Sequence, residues 1–338
     1  MRKYIREIAI TIAVLAGLTG CEDSNYYQIT GYAQGGVYSV KYRGAKIQPG
    51  KVKVQVDSIL NLIDCTLSGY NKGSDLSRFN AGDSIILSPM LAEIYEQSYR
   101  MWEHTAGAFD VAGGPLFDIW GFGFTKGEMP SAKQIQNTLQ NCGTGRLKAP
   151  EDIKALTGKK ICSTDFLKTP GVAPKLNFNA IAQGYSCDVI AKHLKKLGVT
   201  DMLVDIGEIY CCGHNPAGKG WGIGIDNPTD GNDAPGQDIR EKFDSQGKSL
   251  GIVTSGNYRK FYIKDGKKYS HTIDPLTGYP VTHNLLSATV LAPTASEADA
   301  LATYFMVIGE EASKEYLSKH PDLEACLITG SEVWKSWE

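Results

Sequence analysis

Residues 294–303 read Thr-Ala-Ser-Glu-Ala-Asp-Ala-Leu-Ala-Thr and have the pattern of a helix start. Ser296 fits an N-cap, because its hydroxyl can accept a backbone hydrogen bond and Asp299 follows three residues later, as in a capping box. The β-branched and apolar residues 285–291 lie just before it. We therefore predict a strand that leads into a helix over residues 296–308.

The same stretch also offers chemistry. Asp299 and Thr303 are four residues apart and so share one face of the predicted helix. A carboxylate beside a hydroxyl suits Mg²⁺, which needs few protein ligands and keeps water or phosphate oxygens as the rest. A simple cap that complements the helix dipole explains Asp299 equally well, and taken alone it is the commoner explanation of this spacing.

Outward from this stretch, apolar periodicity predicts alternating strands and helices. Predicted strands lie within 27–43 around a turn at Gly35-Gly36, and at 201–206, 221–225, 258–263 and 325–328; predicted helices lie in the later part of 50–65 and at 90–105, 132–139 and 182–197. Residues 227–248 are rich in Asp, Gly and Pro and predict a long surface loop. Together these patterns predict an α+β fold with mixed or antiparallel sheets flanked by helices.

The N-terminus predicts export and lipidation. Basic residues among the first six precede an apolar run over 8–18, and Leu18-Thr19-Gly20-Cys21 resembles a lipobox. The run is too short to span a bilayer comfortably, and its basic flank argues against a buried core helix. We expect a signal peptide over 1–20, a tether over 21–30 whose Cys21 is lipidated, and a catalytic body over 31–335. The expected location is the bacterial cell envelope, anchored by lipid and facing the periplasm.

The charge and the cysteine spacing of the chain argue against a nucleic-acid-binding protein and against a zinc site. The formal net charge of −2 gives no electrostatic footprint for nucleic acid. Seven cysteines follow Cys21, an odd number without zinc-site spacing, and buried thiols are their best interpretation. A single Cys142–Cys162 bridge is the alternative.

Four further segments could form a site. Residues 176–185 (Leu-Asn-Phe-Asn-Ala-Ile-Ala-Gln-Gly-Tyr) open into a helix whose N-terminus could bind phosphate, although an ordinary connection has the same pattern. Residues 269–280 place His271 before a turn, where it could be structural, contact a diphosphate or transfer a proton. Residues 70–80 and 107–123 combine aromatic residues with glycines, as in plain turns or in a site for a flat ring. No P-loop, dinucleotide-binding or nucleophile-elbow motif supports another chemistry.

The order of these five segments along one chain resembles the FAD:protein FMN transferase (ApbE) family over about residues 30–330. The resemblance implies a T-fold-related, two-lobed single catalytic unit. It also implies Mg²⁺-dependent cleavage of the FAD pyrophosphate, transfer of FMN to a Thr or Ser hydroxyl of an acceptor protein, and release of AMP. The acceptors it implies are flavoprotein subunits of membrane redox complexes such as sodium-translocating NADH:quinone reductase and Rnf.

Matched onto this chain, the resemblance assigns Mg²⁺ to the Ala180 carbonyl, Asp299 and Thr303. His271 would lie at the diphosphate, and His271 or Asp274 would act as the base. The implied contacts to FAD are Tyr70, Ala108, Phe109, Asp110, Asn177, Gln183 and Ile273.

The chain also departs from the family pattern. Asn177 replaces a usual Asp, Gln183 replaces a frequent Lys or Glu, and Gln34 replaces a Met that would contact the isoalloxazine. A Gly-Gly-Asp-like turn is shortened to Gly207-Glu208 after Asp205. The alternatives to transfer are an FAD pyrophosphatase, a flavin-binding lipoprotein without turnover, and a structural envelope lipoprotein, which would leave the motif order unexplained.

Overall fold

A computed structural model of the protein describes residues 25–122, 129–229, 236–257, 261–264, 267–330 and 332–337. The predictions for Cys21, the signal peptide and Gly123 lie outside these residues. The helices of the described residues are α1 (Pro49–Leu67), α2 (Asp75–Ala81), α3 (Pro89–His104), α4 (Gly114–Ile119), α5 (Ala132–Asn141), α6 (Pro150–Lys154), α7 (Ala182–Lys196), α8 (Ala295–Ile308) and α9 (Glu310–Ser318). The strands are β1 (Tyr27–Ala33), β2 (Gly36–Arg43), β3 (Ile85–Ile86), β4 (Lys160–Ile161), β5 (Asp201–Asp205), β6 (Ile209–Cys212), β7 (Gly222–Asp226), β8 (Ile239–Asp244), β9 (Leu250–Gly256), β10 (Phe261–Lys264), β11 (Lys267–Ser270), β12 (Leu285–Ala292), β13 (Glu324–Thr329) and β14 (Val333–Lys335).

One large sheet organises the chain, with the strand order β1-β2-β5-β6-β9-β12-β13-β14. Every pairing among the described strands is antiparallel. The strands of this sheet follow one another in chain order, and β3–β4, β7–β8 and β10–β11 pair in three separate two-stranded sheets. This arrangement confirms the predicted α+β class.

The two faces of this sheet are covered differently. On one face, α7 packs against β2 and β5 through residues such as Ile190, Val40 and Val204, and α8 packs against β9 and β12. On the other face, the β7–β8 hairpin covers β6, β9 and β12, where Trp221 and Phe243 are buried. The helices α7 and α8 therefore bury one face of the sheet, and side chains between them are shielded from solvent.

A second core lies beyond α1 and α7. It is built from α2, α3 and residues 161–181, and it buries Phe79, Tyr95 and Phe166 in edge-to-face ring contacts. Both α1 and α7 contribute to this core and to the core under the sheet: Ile63 and Tyr185 face the former, Leu60 and Ile190 the latter. The start of α7 therefore lies at the boundary between the two cores.

The predicted capping box of Ser296 and Asp299 is wrong. The N-cap of α8 is Thr294, whose Oγ1 accepts from the Glu297 N–H at 3.2 Å. Asp188 on α7 accepts from the N–H groups of Ala295 and Ser296, each at 2.8 Å, and from the Ser296 hydroxyl at 2.7 Å. Because a carboxylate from another helix caps α8, Asp299 is not needed there and is available for another role.

Three smaller predictions also need correction. Residues 227–248 are not one long loop, because β8 pairs with β7; only Phe243 of β8 is buried, so the strand carries no alternating signal. The tight turn between β1 and β2 is centred on Gln34 and Gly35, both with positive φ, and Gly36 already belongs to β2. Cys142 and Cys162 both carry free thiols, so the alternative bridge is absent.

No helix among the described residues is long and apolar enough to cross a membrane.

Candidate active site

The centre of the site is the first turn of α7. The Gly184 N–H donates to Asp299 Oδ2 at 3.0 Å instead of to the Ala180 carbonyl, four residues back. Among the described residues, no backbone N–H donates to that Ala180 carbonyl. The helix therefore starts with one carbonyl oxygen available to a ligand and with a neighbouring carboxylate held by its own backbone.

Asp299 is held in an enclosed position. It is 5% exposed, and the Gly184 N–H is the hydrogen-bond donor that the described residues give it, which leaves Oδ1 for another partner. Burial raises the pKa of Asp299, and the negative charge of Asp188 raises it further, against the effect of the Gly184 N–H. A nearby cation would stabilise the ionised carboxylate that this burial disfavours.

Thr303 lies one turn along α8 from Asp299, as the spacing predicts. Its Oγ1 is 3.4 Å from the Ser255 Oγ at the end of β9. The described residues contain no cluster of three or more His, Cys, Asp or Glu side chains that could hold a metal. A metal at this site would therefore rely on a single carboxylate with neutral oxygens.

The segment before α7 joins three of the predicted motifs. Asn80 holds it with two side-chain bonds to the backbone of Leu176, at 2.7 Å and 2.8 Å. The Asn177 N–H donates to the Val111 carbonyl at 2.8 Å, and the Asn179 amide lies 3.4 Å from the Tyr70 hydroxyl. Residues 70–80, 107–116 and 176–185 thus meet around the α7 N-terminus.

The predicted contacts at 108–110 are mostly enclosed. Ala108 and Phe109 are buried, and Asp110 accepts from the N–H groups of Ala112 and Thr144 and from the Thr144 hydroxyl at 2.7 Å. Burial raises the pKa of Asp110, although these donors act in the opposite direction. The Asp110 side chain therefore serves chiefly to tie this segment to residues 143–146.

The turn over residues 274–279 lies beside the same segment. Asp274 Oδ1 accepts from the Leu276 N–H at 2.8 Å, and Oδ2 accepts from the Thr277 hydroxyl at 2.9 Å. A Cβ on Gly107 would lie 3.2 Å from Leu276 Cδ2, so the turn and the 107–116 segment are in close contact. Asp274 therefore shapes this turn with both of its carboxylate oxygens.

His271 and Ile273 differ in accessibility. Ile273 is 1% exposed and packs with Trp120, whose indole N–H donates to the Gly278 carbonyl at 2.8 Å. His271 is half-buried, and its ring centroid lies 6.4 Å from that of Phe122 in an edge-on contact. His271 therefore lies at the edge of the cluster that Trp120, Phe122 and Ile273 form.

Gln183 links the first turn of α7 to the turn that follows β5. Its amide donates to the Ile206 carbonyl at 3.2 Å, next to the turn at Gly207, whose φ is positive. Gln34 donates to the Ser186 hydroxyl at 2.6 Å. The two glutamines, both departures from the family pattern, thus make neutral hydrogen bonds to neighbouring elements.

The comparisons with known proteins identify the family of this chain. The ApbE family profile matches residues 32–327. The chain belongs to the ApbE family. It is 31% identical over 331 residues to the FAD:protein FMN transferase of Haemophilus influenzae, covering 95% of this chain and 91% of that protein. It is 34% identical over 293 residues to the Escherichia coli K12 protein of the same name, covering 85% and 79%.

Solved structures of the ApbE family show the same fold. The apo flavinyl transferase ApbE of Pseudomonas stutzeri superposes with a TM-score of 0.77 at 30% identity, covering 93% of this chain and 95% of that one. The flavin transferase ApbE of Vibrio cholerae gives 0.75 at 27% identity, covering 92% and 97%. The predicted family and fold class are therefore confirmed.

Sequence reasoning missed several positioning residues in this ApbE-family chain. Asp188 caps α8 from another helix, and Gly184 permits the close crossing that brings Asp299 to the α7 backbone. Neither residue has a local pattern that reveals its distant partner. Asn80 lies in the 70–80 segment. Its side-chain amide can both donate and accept, and this was the one feature of the sequence that could have indicated its role.

We expect Asn80→Ala to loosen the segment before α7. The variant loses both side-chain bonds to Leu176, so the free energy of unfolding should fall by about 2 kcal/mol and FAD should bind more weakly. Thermal denaturation and flavin-fluorescence titration measure the two effects. Asn137→Ala, at an exposed position of α5, is the matched control and should change neither.

Proposed function

We propose that this protein is an FAD:protein FMN transferase that uses Mg²⁺. The observation that carries the proposal is the pairing of the Gly184 N–H with buried Asp299, which leaves the Ala180 carbonyl open in a chain of the ApbE family. The relatives of similar length that carry this activity in their names support it. The substrate is FAD, and the products are AMP and an acceptor protein with FMN on a Thr or Ser through a phosphodiester.

The residues present fit a bound Mg²⁺. The ligands would be the Ala180 carbonyl, the Asp299 carboxylate and the Thr303 hydroxyl, all oxygen donors of the kind Mg²⁺ prefers. One carboxylate leaves coordination positions for phosphate oxygens of the substrate. When bound, the ion would polarise the pyrophosphate and neutralise charge that develops on the leaving AMP.

The chain's own groups supply positioning. The N-terminus of α7 directs the positive end of its helix dipole toward the site, which favours the FAD diphosphate. Tyr70, Asn177 and the 107–116 segment surround this end and would orient the flavin and the adenosine. Phosphoryl-type transfer asks a protein mainly for such orientation and for charge neutralisation.

Of the two candidate bases, we propose His271 as the general base. Both oxygens of Asp274 already accept hydrogen bonds within the turn, so this carboxylate acts as a positioning group. A half-buried imidazole can accept the proton of the acceptor hydroxyl near neutral pH. The hydroxyl oxygen would then attack the FMN phosphorus, and the bond from that phosphorus to the AMP oxygen would break.

Incubation of residues 22–338 with FAD, Mg²⁺ and a flavin-accepting protein domain tests the proposal. In-gel flavin fluorescence on the acceptor is the expected result. AMP and free FMN without labelling would instead identify an FAD pyrophosphatase, and FAD that stays bound and intact would identify a binding protein.

We also propose that lipidated Cys21 anchors the protein to a membrane facing the periplasm, near acceptor subunits of Nqr-like and Rnf-like complexes. The basic N-terminus, the short apolar run and the Leu-Thr-Gly-Cys sequence support this location. We expect Cys21→Ser to abolish the attachment of fatty acid to the full-length protein, because the thiol that would be acylated is gone. Metabolic labelling with a fatty acid measures the change, and equal labelling of the variant would contradict it.

A further inference from the structure

The tip of the β1–β2 hairpin exposes two large apolar side chains. Tyr32 is 74% exposed and Val37 is 72% exposed, and the two residues are direct partners in the strand register. Cross-strand partners project from the same face of a sheet, so the two side chains form one continuous surface, here called the hairpin patch. This face of β1 and β2 is the one opposite to α1 and α7.

The patch lies on an unprotected edge strand. Among the described residues, β1 is the end strand of the large sheet and pairs with β2 alone. Its sequence, Tyr-Gln-Ile-Thr-Gly-Tyr-Ala, contains no charged residue and no proline. Edge strands are usually protected by charges, prolines or bulges, because their unpaired N–H and C=O groups attract other strands. A seven-residue edge without these devices is suited to pairing.

The hairpin also touches the candidate active site. Gln34 in the turn donates to the Ser186 hydroxyl at 2.6 Å, and that hydroxyl donates to the Ala182 carbonyl in the first turn of α7. The same turn of α7 contains Gly184, which binds Asp299. A polypeptide bound along β1 therefore runs toward the end of α7 where the diphosphate would lie.

We propose that the hairpin patch and the free edge of β1 bind the acceptor protein, through the extended, largely uncharged segment that carries its reactive Thr or Ser. This inference rests on the proposed transferase function, which requires a protein hydroxyl to reach the α7 N-terminus. Backbone hydrogen bonds to β1 supply affinity for an extended chain, and Tyr32 and Val37 contact its apolar side chains. Tyr70 and Leu276 are also exposed, but Tyr70 is a predicted flavin contact and Leu276 packs beside the 107–116 segment, so both are assigned to the proposed FAD site.

The double variant Tyr32→Thr/Val37→Thr tests this proposal. Threonine keeps the preference for strands while it removes the aromatic ring and most of the apolar surface. The probe is the soluble flavin-accepting domain of a sodium-translocating NADH:quinone reductase subunit. We expect the KM for this domain to rise about tenfold or more, while kcat and the dissociation constant for FAD stay unchanged.

The matched control is Val54→Gln/Leu62→Gln on the outer surface of α1, where both residues are similarly exposed, at 64% and 54%. This control should leave all three constants unchanged. An unchanged KM in the hairpin variant overturns the proposal, and so does an equal loss of FAD affinity, which would place the patch in the flavin site. A wild-type dimer that the hairpin variant abolishes without a change in KM would show that the edge pairs with a second copy. If wild-type protein releases AMP without labelling the domain, the transferase function fails first, and the binding proposal fails with it.

Discussion

Asp299→Asn is expected to abolish FAD cleavage while the protein remains folded. Asparagine has the same shape and can still accept the Gly184 N–H, so the α7–α8 contact should persist. It lacks the negative charge that the proposed Mg²⁺ site draws from its single carboxylate. We expect the rate of AMP release to fall by about a hundredfold or more, the scale of losing one strong stabilising contact in a transition state.

Two measurements separate this effect from misfolding. Thermal denaturation should give a wild-type transition, and calorimetric titration with Mg²⁺ in the presence of FAD should lose its binding signal. Glu297→Gln, which removes a carboxylate from the same helix outside the site, is the control and should cleave FAD at the wild-type rate. Full activity in Asp299→Asn would refute the metal assignment.

Gly184→Ala is the second change with a large expected effect, this time on stability. A Cβ at this position would lie 2.2 Å from the Ala295 carbonyl oxygen and 2.8 Å from the Asp299 Cβ. The first obstacle is backbone, so α7 and α8 must move apart, which should lower the free energy of unfolding by about 3 kcal/mol or more. Urea denaturation measures this loss.

The control for Gly184→Ala should change stability in the opposite direction. Gly50 lies in the first turn of α1, and a Cβ there meets no atom within 4 Å. Gly50→Ala should therefore stabilise the protein by about 0.5 kcal/mol, because alanine restricts the unfolded chain more than glycine does. Equal stability of the two variants would contradict the close helix crossing.

Local patterns predicted the elements whose apolar content or apolar periodicity is distinctive. The helix at 182–197 and the strands at 201–206 and 285–291 appear within one residue of their observed ends. By contrast, β8 exposes almost every side chain, so nothing in its composition distinguishes it from a loop. Which strands join the large sheet could not be predicted either, because six other described strands leave it for separate two-stranded sheets through pairings that no local pattern indicates.

The site shows the same division. Periodicity placed Asp299 and Thr303 on one face of a helix, and the turn before residue 182 marked a helix start. The contact between these two features, from the Gly184 N–H to the Asp299 carboxylate, joins residues 115 positions apart. Asp188, and not Asp299, accepts from the first N–H groups of α8. No short sequence pattern indicates this contact.

The central claim, transfer of FMN to a protein hydroxyl, is tested most directly by mass spectrometry of the acceptor after reaction with FAD and Mg²⁺. The account predicts an acceptor peptide with FMN on one Thr or Ser through a phosphodiester, and AMP in an equal molar amount. AMP in large excess over labelled peptide, together with free FMN, would contradict the claim, because water rather than a protein hydroxyl would then be the acceptor.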